Sequence, residues 1–562
     1  MNKENLTTES VSDGFTHLNR DSLAIFFLGL IIFTVALQPE FIGIQARFAL
    51  FAQEMLRYGP TFFPTTYQIP YPDYSATSTF VIYLVSLLFG RVTQFSAVLP
   101  TALTSALILI VTYRIGAIQS RKWGLLSVLF LLSTPLFLNE SRSISLDQYV
   151  GLATVLCFYI VYSADVFNRR KRLWFIPMIL AAGFSFRGPI GLIIPASVVC
   201  GYYLWRREFR KLIVMGLTAL LMLVLCSAGL LAAANYQAGE AFVKRVIDAQ
   251  AAGRMVQSNK SYAYYWYASL YNCAVCYPLA VVVMIAGFRE IVRRENSNYI
   301  LIGYLLSWIL IILTGMSIPA AKNIRYITPI VPALSLVASY IFIDSAPKRI
   351  LIETKKVFLS VCSFLPLPAS LAIAGLLFFG RRFGFPVNAR YVIALIFLTG
   401  LAVIVRNQKR KLQMDSGKDM SFVVIGVLVF IVVNIGVVEP VHSALECTRP
   451  FVEKMEFLQK ERQGRIAFYQ IGPDAEDIKF AMNCDRPIKP VFIKNYTDLL
   501  QEPSQTYFIS RQKGFDDLPK VVAQKMHVEF YGKIGHKDCV VFSRDFDSNE
   551  TDLPTYNVTS HI

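Results

Sequence analysis

SAVLPTALTSALILIVTYRIGAIQSRKWGLLSVLFLLSTPLFL, residues 96–138, holds two apolar runs, 96–115 and 123–138, on either side of a turn carrying Arg114, Arg121 and Lys122. At 1.5 Å per helical residue the first run crosses about 30 Å of hydrocarbon. Two such runs joined by a basic turn read as a helical hairpin that crosses a membrane twice, with the turn on the cytoplasmic side. Lipid offers the backbone no hydrogen bonds, so helix is the only form these runs can take there without closing a barrel.

The same pattern extends in both directions. Further apolar runs fall at 22–38, 149–164, 174–186, 188–205, 212–235, 264–288, 298–316, 325–343, 357–379, 391–405 and 421–438, thirteen in all with the hairpin. Phe80 to Gly90 is too short to span and reads as a helix lying at the interface. Residues 1–21 are polar and mixed in charge, and no small-residue cleavage site follows the first run, which is therefore expected to stay as an anchor. With the N-terminus inside, the basic clusters Arg169 to Arg172, Arg206/Arg207/Arg210/Lys211, Arg289/Arg293/Arg294, Lys348/Arg349/Lys355/Lys356 and Arg406/Lys409/Arg410/Lys411 all join the first turn on one side. An odd number of spans then sends the C-terminal tail to the opposite face.

Composition agrees. The 562 residues are 54% apolar, 13% aromatic and 17% charged, which excludes an ordinary soluble enzyme. The formal charge of +17 belongs to loops facing the cytoplasm and implies no nucleic-acid partner.

From about Glu439 the chain changes to short apolar strands alternating with helical patterns: Arg465 to Ile471, Ala475 to Met482, Pro490 to Ile493, Thr497 to Gln501, Thr506 to Ser510, Asp517 to Lys525, Val528 to Tyr531 and Cys539 to Phe542. This predicts a compact α/β domain with a mostly parallel sheet. The fold class is thus an α-helical polytopic membrane protein of about thirteen transmembrane helices with a C-terminal soluble α/β domain. Its expected parts are a cytoplasmic tail 1–21, a transmembrane domain 22–438 with a first external loop 39–95, and an external α/β domain 439–562. Six of nine cysteines lie in apolar runs, and a disulfide among Cys447, Cys484 and Cys539 is left open. Cys273 and Cys276 form a CxxC without a second pair, which does not make a metal or redox centre.

Charge at membrane depth is costly and marks function. The external segments hold Glu40, Arg47, Glu54, Arg57, Asp73, Glu140, Arg142, Asp147, Arg187, Arg245, Arg254, Lys260, Lys322 and Arg325. Carboxylates and cations meeting on one face suit a reaction in which a carboxylate takes a proton from an attacking hydroxyl while cations hold a phosphate leaving group. The aromatic stretch Tyr262 to Tyr271 suits an interface belt or a groove for a lipid tail.

Four stretches carry a family resemblance: Gln45 to Met55 (QARFALFAQEM), Thr134 to Tyr149 (TPLFLNESRSISLDQY), Phe184 to Pro195 (FSFRGPIGLIIP) and Lys322 to Pro332 (KNIRYITPIVP). The first 340 residues or so resemble the GT-C membrane glycosyltransferases, specifically the protein O-mannosyltransferase and lipid A aminoarabinose transferase group. The resemblance implies a GT-C fold in a bacterial inner membrane, with the α/β tail in the periplasm. It implies an inverting transfer of a sugar from an undecaprenyl-phosphate donor to lipid A or another envelope acceptor, with membrane lipids as the other partners. A protein hydroxyl as acceptor, a catalytically degenerate relative and a transporter for a lipid-linked sugar are the rival readings.

Residue by residue, the resemblance puts Asp147 at the acidic position near the active cavity, although Asp also suits a helix N-cap. Arg254 falls at a carrier-phosphate arginine. Lys322, Arg325 and Tyr326 match a basic turn followed by a tyrosine that faces the phosphate, where snorkelling and an aromatic belt would also explain them. Arg187 matches a Lys-Gly-Pro corner, and Arg47 and Arg142 are supporting cations. The chain departs from the pattern in the first external loop, where Ile44-Gln45 replaces the usual Asp-Glu pair, and at Asp73-Tyr74-Ser75-Ala76, which keeps an acid and loses a lysine. Asp73, Glu40 or Asp147 is then expected to supply the base. An apolar residue replaces a histidine near Arg254, so no metal and no other cofactor is expected.

Overall fold

The computed structural model describes residues 8–73, 75–252, 260–344, 347–383, 388–410, 419–473, 476–503 and 505–544. The chain divides into two compact units, one of Met1–Gln38 with Phe51–Val441, the other of Pro39–Leu50 with His442–Ile562.

The first unit is helical, and the chain is a multi-pass membrane protein. All thirteen apolar runs fall on helix. Among the described residues eight helices are long and apolar enough to cross a membrane, or up to ten when each of two bent pairs counts as one span. Three further runs lie on the helices Thr8–Thr34, Phe175–Arg187 and Pro189–Arg206, outside that count, and two runs are bent. The run 123–138 breaks into Arg121–Leu132 and Pro135–Ser141, bent by 75°, because proline cannot continue the preceding hydrogen-bond ladder and pushes Thr134 into extended backbone. The run 264–288 likewise breaks into Tyr264–Asn272 and Cys276–Ala286 at 114°. Phe175–Arg187 has only 13 residues. Hydropathy sees the apolar stretch and not the bend.

Close approach of helices replaces the hydrophobic drive that lipid does not supply. A Cβ built on Gly183 would lie 2.2 Å from the Gly191 carbonyl oxygen, and one on Gly191 2.0 Å from that of Gly183. The helices Phe175–Arg187 and Pro189–Arg206 therefore meet backbone to backbone at the corner between them. Buried polar side chains join helices elsewhere: Trp123 Nε1 donates to the Leu336 carbonyl at 2.8 Å, and the Ser127 and Ser339 hydroxyls are 2.9 Å apart.

A small hairpin of β1 (Thr65–Thr66) and β2 (Ile69–Pro70) turns through Tyr67 and Gln68, both at positive φ. The buried Glu54 carboxylate accepts from the Thr65 hydroxyl and from the backbone N–H groups of Tyr67 and Gln68. It thereby supports an unfavourable turn just ahead of Tyr71-Pro72-Asp73.

The second unit contains a five-stranded sheet of β3 (Arg465–Tyr469), β4 (Val491–Ile493), β5 (Thr506–Arg511), β6 (Met526–Ile534) and β7 (Lys537–Arg544), in the order β4-β3-β5-β7-β6. β3 runs parallel to β4 and β5, whereas β7 runs antiparallel to β5 and β6. The sheet is mixed, not mostly parallel, because only Gly535 and His536 join β6 to β7, with Gly535 at φ +62°, and so short a loop allows only a hairpin. Ile466, Phe468 and Val541 face one apolar core, and Ala467, Tyr469 and Phe542 face the other. Burial on both faces explains why these strands read as continuous apolar runs.

Candidate active site

Asp147 stands in the first turn of the helix Leu146–Val166, where Ser145, not Asp147, is the N-cap residue. Its carboxylate is 3% exposed as a residue and is held from two directions. Arg187 Nε donates to one oxygen at 3.1 Å, and Arg325 Nε lies 3.5 Å from the other. Arg187 is presented by the Gly183/Gly191 corner. The next residue, Gly188, has φ +63° and ψ −150°, a backbone region that essentially only glycine enters.

Arg325 rides on a 3₁₀ helix, Ile324–Ile330, whose N-cap Asn323 accepts from the Arg325 N–H at 3.3 Å. The Asn323 N–H in turn donates to the Tyr265 hydroxyl at 3.2 Å. The Tyr326 ring takes the Arg187 guanidinium at 5.4 Å and that of Arg325 at 5.9 Å, within cation–π range. Asp147, Arg187, Arg325 and Tyr326 thus form one contiguous group contributed by three segments.

The two arginines differ. The Arg187 side chain is 4% exposed, while that of Arg325 is 19% exposed and makes no hydrogen bond among the described residues. Lys322, buried on the same turn, donates from Nζ to the Pro319 carbonyl at 2.7 Å and faces the Tyr262 ring at 5.2 Å. Lys260 donates to the Lys322 carbonyl at 3.0 Å. Two lysines therefore accompany Arg325 at this turn.

A second carboxylate completes the group. Glu140, at the end of Pro135–Ser141, accepts from the Ser145 hydroxyl and is within electrostatic reach of Asp147, Arg325 and Arg187. It makes no ion pair among the described residues. Asp73 reaches the same corner through its backbone: Gln250 Nε2 donates to the Asp73 carbonyl at 2.6 Å, and Gln250 Oε1 lies 3.1 Å from where a Gly188 Cβ would be. The Ser75 hydroxyl donates to the Ser185 carbonyl.

Other expected residues have different occupations. Arg142 chelates Glu439, with Nη2 to Oε2 at 2.9 Å, and donates to the Ile32 and Val35 carbonyls at the end of the first helix. Glu40 belongs to the second unit, where it accepts from the Thr448 and Arg449 N–H groups at 3.0 and 3.1 Å and so caps the helix Arg449–Glu461. Arg47 is half-buried in that same unit. Arg254 lies outside the described residues. Glu140 carried a charge visible in the sequence but no assigned role, and Gln250, being neutral, carried no signal at all. No group of three or more metal-binding side chains occurs among the described residues.

The fold, a broken-helix membrane domain and an α/β unit, has solved counterparts. The crystal structure of ArnT from Cupriavidus metallidurans in the apo state superposes with a TM-score of 0.66 at 14% identity, covering 95% of this chain and 98% of that one. The same protein bound to undecaprenyl phosphate gives 0.65 at 14% identity, covering 94% and 97%. A family model described as Dolichyl-phosphate-mannose-protein mannosyltransferase matches residues 75–231. Undecaprenyl phosphate-alpha-4-amino-4-deoxy-L-arabinose arabinosyl transferase of Serratia proteamaculans is 25% identical over 337 residues, 57% of this chain and 58% of that one. A relative of the same name, numbered 1, from Pseudomonas fluorescens is 23% identical over 313 residues, 53% of this chain and 55% of that one. The matched region thus spans a little over half the length of these relatives. In fold and in sequence the chain is similar to the GT-C group.

Proposed function

We propose that this protein transfers a sugar from an undecaprenyl-phosphate carrier to an envelope acceptor, lipid A in the first instance, at the external face of a bacterial inner membrane. The observation that carries this reading is the Asp147 carboxylate wedged between a buried Arg187 and a partly open Arg325. The clamp holds Arg187 by a hydrogen bond and keeps Arg325 beside the same carboxylate before any substrate arrives, and cations already in place stabilise charge that develops on a leaving group with little reorganisation. The name of the relatives and the undecaprenyl phosphate bound to the ArnT structure support the choice of donor.

In the proposed reaction an acceptor oxygen attacks the anomeric carbon. The new C–O bond forms as the bond from that carbon to the carrier phosphate breaks, and the electron pair leaves on the phosphate oxygen. Arg325, Lys322 and the Tyr326 hydroxyl receive that phosphate, with Arg254 as a further candidate. Asp147, neutralised by two guanidiniums, positions them and is poorly placed to take a proton. Glu140, which makes no ion pair among the described residues, takes the acceptor proton, and Asp73 shapes the entrance through its turn. Guanidinium and ammonium groups supply the positive charge, so the scheme assigns no step to a metal or other cofactor. In this orientation the N-terminus is cytoplasmic and the α/β unit periplasmic.

Mass spectrometry of lipid A and envelope proteins from a strain lacking the gene tests this. One sugar should disappear from lipid A, and wild-type protein but not Asp147→Ala should restore it. Loss from envelope proteins would move the acceptor to a protein hydroxyl, and unchanged glycosylation of every envelope fraction would remove the proposal.

A further inference from the structure

The helix Pro189–Arg206 has the candidate active site at its start and a second feature at its other end, 18 residues away, or roughly 27 Å along the axis. There, a groove of about 690 Å³ opens between this helix and Ser297–Ser317, with Arg207 and Arg294 at its head and Leu204, Val292 and Leu310 along its walls.

Among the described residues its two arginines have no carboxylate partner. Neighbouring basic groups have carboxylate partners: Arg206 and Lys211 pair with Asp165 and Glu208, and Arg293 with Glu295. Arg207 and Arg294 form no ion pair among the described residues, and the Arg294 side chain donates instead to the Trp205 carbonyl. Both arginines terminate their helices in the left-handed region, at φ 61° and 55°, where glycine or asparagine is the usual occupant. The walls are apolar and outward-facing, with Leu204 53%, Val292 57% and Leu310 38% exposed.

Each half of this pattern excludes a class of occupant. A soluble anion has no use for the aliphatic walls, and a neutral lipid has none for two uncompensated guanidiniums. Trp205, which also lines the groove, is of the residue type that settles at headgroup depth. Basic pockets between membrane helices bind anionic headgroups on these grounds. From Ser307 to Thr314 the groove follows seven residues of helix, about 10 Å. That length holds a headgroup and the first acyl carbons, leaving the remaining chains in the bilayer. We propose that this groove binds an anionic glycerophospholipid of the surrounding membrane, its phosphodiester against Arg207 and Arg294 and its acyl chains along Leu204, Val292 and Leu310.

Native mass spectrometry of the full chain in detergent, titrated with phosphatidylglycerol or phosphatidylethanolamine, tests it. Phosphatidylglycerol should bind at least tenfold more tightly than phosphatidylethanolamine. The double variant Arg207→Asn/Arg294→Asn, which keeps residues suited to positive φ, should remove that preference. Arg210→Asn, on the same basic surface but outside the groove, should leave it intact. Thr314→Trp, which fills the end of the groove away from the arginines, should weaken phosphatidylglycerol at least tenfold without touching a charge, and it carries the test if the double variant does not fold. The proposal is overturned if both lipids bind equally, if the folded double variant or Thr314→Trp keeps wild-type affinity, if Arg210→Asn is as damaging, or if undecaprenyl phosphate displaces phosphatidylglycerol at equal concentration.

Discussion

Arg187 Nε lies 3.1 Å from an Asp147 carboxylate oxygen, and both side chains are only 4% exposed. An ion pair so buried is costly to halve, because the remaining charge keeps no water. Arg187→Ala is expected to lower stability by about 3 to 5 kcal/mol. Asp147→Asn leaves Arg187 and Arg325 facing each other without a counter-charge, so it should weaken both folding and donor binding. Thermal unfolding in detergent, followed by titration with undecaprenyl phosphate, checks the pair. Wild-type melting temperature in both variants would show that the clamp contributes nothing.

Glu140 and Asp147 should separate cleanly under mutation. Gln at position 140 still accepts from the Ser145 hydroxyl but takes no proton at neutral pH, so Glu140→Gln should cut kcat by roughly 100-fold or more and leave KM and melting temperature near wild type. A variant that loses donor affinity while its kcat holds would assign Glu140 to binding and leave Asp73 as the proton acceptor.

The corner that presents Arg187 depends on two glycines. A methyl group on Gly191 would sit 2.0 Å from the Gly183 carbonyl oxygen, a backbone atom that cannot swing aside as a side chain does. Gly191→Ala must therefore part the two helices, and a loss of about 2 kcal/mol or more follows from strained packing. Gly216, by contrast, has nothing within 4 Å of its would-be Cβ, so Gly216→Ala is the control and should match wild type. Equal stability of the two variants would contradict the close approach.

What the sequence disclosed followed the range of each interaction. Apolar runs announce helices because lipid acts on every residue in them, and the Arg-Tyr pair at 325 and 326 and the corner at 187 are local patterns. The bends after Leu132 and Asn272 are local events inside apolar runs, so a hydropathy count passes over them. The partner of Arg142 is Glu439, 297 positions away, and no local pattern points from one to the other. Glu40, one of the three expected bases, caps a helix some four hundred residues later. Glu140 was legible as a charge only. What distinguishes Asp147 from it is the pair of guanidiniums that hold Asp147, which is a property of three dimensions. The antiparallel edge of the sheet had a readable cause, the two-residue Gly535-His536 loop, outweighed by the alternation of strands and helices around it.

The cysteines of the α/β unit are free thiols, and their chemistry can be forecast from their surroundings. Burial pushes the thiol of Cys539 up to about 12, and burial together with the adjacent Glu40 carboxylate pushes that of Cys447 up to about 12. Cys484 is raised by burial as well. The thiolate is the reactive form, so at pH 8 each of Cys447 and Cys539 should alkylate about 1000-fold more slowly than a thiol at the unperturbed value of 9.0. The sign for stability follows: the folded unit holds these protons more tightly than the unfolded chain, so the contribution is full below about pH 9 and fades as pH rises toward 12. Iodoacetamide labelling with peptide mass spectrometry, native against denatured and each with and without reductant, provides the check. Native labelling at the denatured rate would refute the burial, and labelling that appears in denaturant only after reduction would reveal a disulfide in place of free thiols.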